Sequence, residues 1–229
     1  VIALDLFCGG GGAARGILEA GFDEVVGIDI VDHSKAYPGE FIKGDALALG
    51  GLDCSEYDFV WASPPCQHAS VGALMRGTAG NHVDLIEPTR ELLAGHPYTC
   101  IENVPNAAIR ADVKLQGAMF GLAVVRTRIF ELSFPPPYAL APSESKTVSN
   151  GDLAMVAGHG TPRGVGNTRF RDLPADLRAR WRERNNKQGW CEAMGLPPVM
   201  TRREIAEAVP PAYAAFIARE AIAQIRSAS

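Results

Sequence analysis

Short apolar runs alternate with helix-spaced apolar positions over the first two-thirds of the chain. Residues 1–6 (VIALDL) are apolar on nearly every position, as a strand covered on both faces requires, and run straight into the glycines at 9–12. Residues 13–20 carry helical spacing and stop at Gly21. Further strand-like runs lie at 25–30, 41–43, 59–62, 98–102 and 128–132, with a helical stretch at 83–93. This order predicts an α/β fold, a mostly parallel sheet flanked by crossover helices. Such sheets bind ligands beyond the carboxyl ends of their strands. The residues with chemical potential fall at those ends: the glycines, Asp29, Asp45, Cys66 and Glu102.

The texture changes after Pro135-Pro136-Pro137. Residues 135–185 are rich in Gly, Pro, Ser and Arg, and Gly158-His159-Gly160 and Gly164-Val165-Gly166 mark loops. Helical spacing resumes at Gly189, and a last helix over 212–225 follows Pro210-Pro211. The organisation expected is one core-bearing unit made of 1–132 with 186–229, carrying a small irregular insert over 133–185.

Composition narrows the class. The chain has 229 residues, 47% of them hydrophobic, and no run approaches the length of a membrane-spanning helix. The start has no basic-then-apolar leader, so a cytoplasmic protein without a membrane partner is expected. The five cysteines are scattered and form no Cys-x-x-Cys pair, which suggests neither a disulfide framework nor a metal site. The net charge is −4, yet Lys and Arg outnumber Asp and Glu between Arg126 and Arg203 while the remainder is acidic. A basic segment on an acidic body suits a one-sided polyanion contact; equally, the arginines of 177–184 suit a solvated helix.

Four constellations carry chemistry. In Asp5-Leu6-Phe7-Cys8-Gly9-Gly10-Gly11-Gly12 a strand turns through glycines into a helix, where backbone can approach a ligand closely and free amides await an anion. Asp29, about 20 residues on, stands where an acid grips ribose hydroxyls, and Gly44-Asp45 can meet an adenine. Cys66, in Ser63-Pro64-Pro65-Cys66-Gln67, is presented by two rigid prolines in polar surroundings, unlike a core thiol. Glu102, in Ile101-Glu102-Asn103-Val104, puts an acid at the tip of an apolar strand, which is costly unless the acid is paired or used. Arg126 and Arg128, alternating ahead of Ile129-Phe130-Glu131-Leu132, are expected on one strand face, positioned for a carboxylate, phosphate or carbonyl.

In this order the four constellations resemble the cytosine-5 DNA methyltransferases, and the compact form is similar to phage and prophage members. Glu192-Ala193-Met194-Gly195-Leu196-Pro197 and Ala208-Val209-Pro210-Pro211 resemble that family's closing motifs. The resemblance implies a Rossmann-like class I methyltransferase fold with a small target-recognition insert. It implies S-adenosylmethionine as cofactor, S-adenosylhomocysteine as product, and double-stranded DNA as partner of a monomer. By resemblance, Cys66 attacks carbon-6 of a flipped cytosine. Glu102 binds ring nitrogen 3 and the exocyclic amine, and Arg128, supported by Arg126, orients the base and Glu102. Phe7, Cys8, Gly9, Gly10, Gly12, Asp29, Ile30, Asp45 and Pro65 are implied to line the cofactor pocket. Gln67, Ser70 and Arg76 belong to the implied DNA-closing loop, and His159, Arg163 and Arg169, with Thr161 and Asn167, are the candidate readers of the target. So short an insert suggests a target of about two to four base pairs.

The sequence departs from the family in two places. Val124 stands where a Gln is usual, and Ala206-Glu207 replaces a usual Gly-Asn. The alternatives on the same residues are an RNA cytosine-5 methyltransferase and a catalytically silent DNA-binding relative. A nicotinamide-dependent dehydrogenase rests on the glycines alone and leaves Cys66 and Glu102 unexplained.

Overall fold

The computed structural model describes residues 1–50, 52–65, 84–124, 126–138, 175–184 and 186–228. Seven strands form one sheet: β1 Ile2–Leu6, β2 Glu24–Asp29, β3 Glu40–Lys43, β4 Phe59–Ala62, β5 Thr99–Asn103, β6 Val113–Leu115 and β7 Arg128–Leu132. Their order across the sheet is β3-β2-β1-β4-β5-β7-β6. The first five run parallel, β7 is antiparallel to β5, and β6 is antiparallel to β7. The helices are α1 Gly12–Glu19, α2 Ile86–Leu92, α3 Ala175–Arg184, α4 Lys187–Met194, α5 Arg202–Glu207 and α6 Pro211–Ala228. This is the Rossmann-like α/β architecture the alternation predicts.

Every central strand is buried on both faces, which is why its sequence reads as an apolar run rather than an alternation. Ala3, Phe59, Trp61, Cys100 and Phe130 pack with α1 and α6. Their neighbours Leu4, Val60, Ala62 and Ile101 face the other way, with Leu93 and Ala46. A third cluster, Met194, Leu196, Met200 and Ile205 with Val124, seats α4 and α5 on the body. Helices α1 and α6 approach so closely that a Cβ on Gly16 would lie 2.1 Å from the Pro211 carbonyl oxygen.

Three elements differ from the sequence reading. Strand β6 and helix α5 were not expected; both are short, below the length at which periodicity is legible. Helix α3 falls inside the stretch read as irregular, and its polar sequence matches the solvated-helix reading of 177–184. Strand β7 spans the residues expected of it, so Arg126 precedes the strand instead of sharing a face of it.

Candidate active site

The parallel strands bring their carboxyl ends to one edge of the sheet. Because β7 runs antiparallel to β5, with Asn103 beside Ile129, the start of β7 reaches that same edge. Topology alone therefore assembles the glycine loop, Asp29, Pro64-Pro65, Glu102 and Arg128 from segments far apart in sequence.

The glycine loop is held by its own backbone. Phe7 has φ +56°, a left-handed conformation that a bulky residue adopts only when its surroundings enforce it. The reversal lets the Cys8 N–H donate to the Ile28 carbonyl at 3.2 Å and the Gly9 N–H to Asp29 Oδ2 at 2.9 Å. Asp29 Oδ1 accepts from Val31 N–H at 2.9 Å. Gly9, at φ +50°, faces open space where its Cβ would project. Beside Asp29, Ile30 is 68% exposed, and Asp45 is exposed as well, its carboxylate accepting from Leu47 N–H at 3.0 Å. An acid, an uncovered aliphatic side chain and an open glycine fit a nucleoside with a small tail. Gly10 and Gly12 are buried behind this surface, and Cys8 is buried with its thiol pushed up by burial, Asp5 and Asp29.

Asp5 was not singled out from the sequence, although an acid within IALDL is the same anomaly as Glu102. It is fully buried. Tyr37 O–H donates to its Oδ2 at 3.3 Å, while Oδ1 has no hydrogen-bond partner among the described residues. Burial pushes its carboxyl up, Tyr37 opposes that, and Asp29 and Glu102 reinforce it.

At the other end of the edge, Glu102 is 6% exposed. Arg128 Nε lies 2.7 Å from Glu102 Oε1, an ion pair rather than an aligned hydrogen bond, since that oxygen accepts none. Arg128 Nη1 donates to the Thr127 carbonyl at 2.9 Å. Arg126 is buried; its Nη2 donates to the Ala206 carbonyl at 2.8 Å, and its own carbonyl accepts from Tyr213 O–H at 2.7 Å. These contacts support the start of the strand. Asn103 Nδ2 donates to the Pro64 carbonyl at 3.1 Å, tying the end of β5 to the residues that precede Cys66. Pro64 is buried and Pro65 exposed. Cys66, Gln67, Ser70 and Arg76 lie outside the described residues, as do His159, Thr161, Arg163, Asn167 and Arg169.

Behind β7, Arg90 of α2 grips Glu131 through Nε and Nη2 at 3.0 and 2.6 Å, and Arg110 N–H donates to the same carboxylate at 2.8 Å. Nothing in the spacing of these residues announces the network. Among the described residues no group of His, Cys, Asp or Glu is arranged to hold a metal, and no helix is long and apolar enough to cross a membrane.

Comparison with known proteins agrees with the geometry. The model of the C-5 cytosine-specific DNA methylase family matches residues 2–112. Among solved structures, a protein assigned as a DNA modification methyltransferase encoded within an E. coli prophage is 15% identical, with 99% of both chains covered and a TM-score of 0.61. The S. pombe Dnmt2 methyltransferase is 14% identical over 98% of this chain and 99% of its own, with a TM-score of 0.64. The Entamoeba histolytica methyltransferase EhMeth is 13% identical over 94% and 96%, with a TM-score of 0.60. At such identities the likeness establishes a shared fold. No curated protein matches the chain. The chain is thus similar over residues 2–112 to the C-5 cytosine-specific DNA methylase family, and shares the fold of these methyltransferases over nearly its whole length.

Proposed function

We propose that this chain is a DNA cytosine-5 methyltransferase that uses S-adenosylmethionine and a covalent adduct through Cys66. The observation that carries the reading is Glu102: a buried carboxylate held 2.7 Å from Arg128 Nε, at the strand edge that also presents the glycine loop and Asp29. A flipped cytosine would bring an exocyclic N–H donor to this carboxylate. The Asn103–Pro64 hydrogen bond ties the end of β5 to the segment that precedes Cys66 in sequence.

The chemistry follows from the residues. The Cys66 thiolate adds to carbon-6 while Glu102 supplies a proton to ring nitrogen 3, so negative charge does not accumulate on the ring. Arg128 holds Glu102 and the base carbonyl. The bound cofactor supplies an electrophilic methyl group to carbon-5. Transfer of the carbon-5 proton to water then re-forms the carbon-5–carbon-6 double bond and breaks the carbon–sulfur bond, returning the thiolate, and the nitrogen-3 proton goes back to Glu102. Asp29 grips the ribose, Ile30 covers the adenine, and Asp45 borders it. Residues 133–185 are the reduced target-recognition region, and the protein acts as a monomer on duplex DNA in the cytoplasm.

The test is incubation with methyl-labelled S-adenosylmethionine and unmethylated duplex DNA, followed by nucleoside analysis, with structured RNA as competitor. The expected result is 5-methylcytosine in one short context. Label in RNA alone would transfer the reading to the RNA enzyme, and no label in either, with cofactor bound, would favour the silent relative. Cys66→Ser is expected to abolish transfer and spare cofactor binding.

A further inference from the structure

His33 belongs to none of the motifs, yet it sits at a junction. It lies in the turn after β2, four residues beyond Asp29, with its side chain 11% exposed. Its Nδ1 is 2.6 Å from Glu204 Oε1 on α5, and its Nε2 is 4.0 Å from Asp29 Oδ1. Its ring meets Phe41 edge-on. The His33 carbonyl accepts the N–H groups of Ala36 and Tyr37, so the turn that carries it is fixed.

Glu204 reaches back in two directions. Its Oε2 accepts from Thr201 N–H at 2.6 Å, and its N–H donates to Thr201 Oγ1 at 3.2 Å, closing a capping box at the start of α5. Its other oxygen takes His33. Burial alone would push its carboxyl up, but the Thr201 and His33 contacts outweigh burial and hold it below the usual range. The same residue touches the cradle: a Cβ on Gly10 would lie 2.7 Å from Met200 Cε and 3.1 Å from Glu204 Cβ. Arg15 closes the circuit. Its Nη1 donates to the Gly10 and Gly11 carbonyls at 2.8 and 2.7 Å, and its Nη2 to the Ala36 carbonyl at 2.6 Å. Glycine loop, Asp29, the turn at 33–37 and α5 therefore form one ring of contacts.

We propose that His33 is a positioning residue for the cofactor: its hydrogen bond to Glu204 seats α5 as the outer wall of the glycine cradle and keeps the Asp29 turn in register with it. The proposal rests on reading this cradle as the S-adenosylmethionine pocket. A nearly buried carboxylate needs donors on both oxygens. Thr201 serves one, and His33 serves the other from a segment some 170 residues away in sequence. Without that donor, Glu204 turns toward water and draws α5 off Gly10.

The donor and the ring volume can be separated by two substitutions. His33→Phe keeps the ring against Phe41 and deletes the donor. His33→Asn deletes the ring and keeps an N–H near the position of Nδ1. Isothermal titration of the full chain with S-adenosylhomocysteine, with KM and kcat for S-adenosylmethionine on duplex DNA, reads the difference. His33→Phe is expected to weaken binding and raise KM about tenfold, with kcat within about twofold of the parent; His33→Asn is expected to bind within about threefold. If His33→Phe fails to fold, His33→Ala takes its place in the comparison. Parental binding by the donor-less variant, equal weakening by Asn, or a fall in kcat with KM unchanged would each overturn the proposal. Failure of the parent chain to bind S-adenosylhomocysteine would instead remove the pocket reading itself, and this proposal with it.

Discussion

The two ends of the ligand-binding edge are built differently. The end at β1 and β2 is held by backbone: left-handed Phe7 and Gly9, amides locked to Ile28 and Asp29, and glycines pressed against neighbouring chain. The end at β5 and β7 is held by side-chain charge: Glu102 with Arg128, and Glu131 with Arg90 and Arg110. A backbone cradle cannot yield without moving the core, so damage there should show as lost fold and lost affinity. A charged pair can lose a member and leave the strands in place, so damage there should show as lost chemistry. On the proposed function, a cofactor that is the same in every turnover suits the first, and a base that must enter, react and leave suits the second.

The largest effect is expected at the charged end. Glu102→Gln keeps the shape and removes the acid, so kcat should fall by about 10²–10⁴-fold, the usual range for general acid–base groups. Melting temperature and S-adenosylhomocysteine affinity should stay at parental values. A variant that melts early would show that the acid is structural and would erase the contrast.

At the backbone end, Gly16→Ala is expected to act in the opposite way. The new methyl meets the Pro211 carbonyl at 2.1 Å and the Ala215 nitrogen at 2.6 Å, and neither is the tip of a flexible side chain. Overpacking of this kind costs about 1–3 kcal/mol, or a fall in melting temperature of about 3–10 °C in a chain of this size. Any loss of activity should track the loss of folded protein. Unchanged melting would mean that α1 and α6 can separate, and that the cradle is softer than its contacts imply.

How legible each end was in the sequence follows from the same difference. Glycines, an acid at a strand tip and Pro-Pro-Cys are local patterns, so Gly9, Asp29, Cys66 and Glu102 could be picked out from their neighbours. The parallel strands were legible because burial on both faces leaves apolar runs such as Phe59-Val60-Trp61-Ala62. Long-range pairs have no local trace. Arg90 lies 41 residues from Glu131, and His33 lies 171 from Glu204. Asp5 leaves a local trace too, an acid within the apolar run Ile2-Ala3-Leu4-Asp5-Leu6. Arg126 stands two residues ahead of the strand and its Nη2 reaches the Ala206 carbonyl, a contact 80 residues away that no local pattern announces.

Acid sharpens the contrast further. Burial would raise the Glu131 carboxyl, but Arg90, the Arg110 amide and both guanidinium groups outweigh burial and lower it. A carboxyl depressed on folding contributes stability that is complete above its unfolded value, about 4.3, and is lost as pH falls through the folded one. Arg90→Ala removes the leading opposing contact. Its acid-unfolding midpoint, followed by circular dichroism, should therefore move to higher pH, with stability at pH 7 also reduced. The Gly16→Ala variant has no such charge to titrate, and its deficit relative to the parent should stay constant across the same range. A midpoint unmoved by Arg90→Ala would mean that Arg110 alone suffices to hold β7.

The smallest effect is expected on α5 itself, one residue from the buried Glu204. Arg203 pairs with Glu207 at 3.1 Å, but their side chains are 71% and 57% exposed. An exposed pair four residues apart on a helix contributes about 0.3–0.5 kcal/mol, and salt screens it. Arg203→Ala should therefore shift the melting temperature by about 1–2 °C at most, with cofactor affinity unchanged. The comparison is useful because Arg203 and Glu204 share a helix and differ in what they face. If Arg203→Ala weakened S-adenosylhomocysteine binding as much as loss of the His33 donor, the sensitivity would belong to α5 as a whole. If it does not, the sensitivity belongs to the one carboxylate that faces the cradle, and a helix of two turns carries both a structural cap and a binding wall on separate residues.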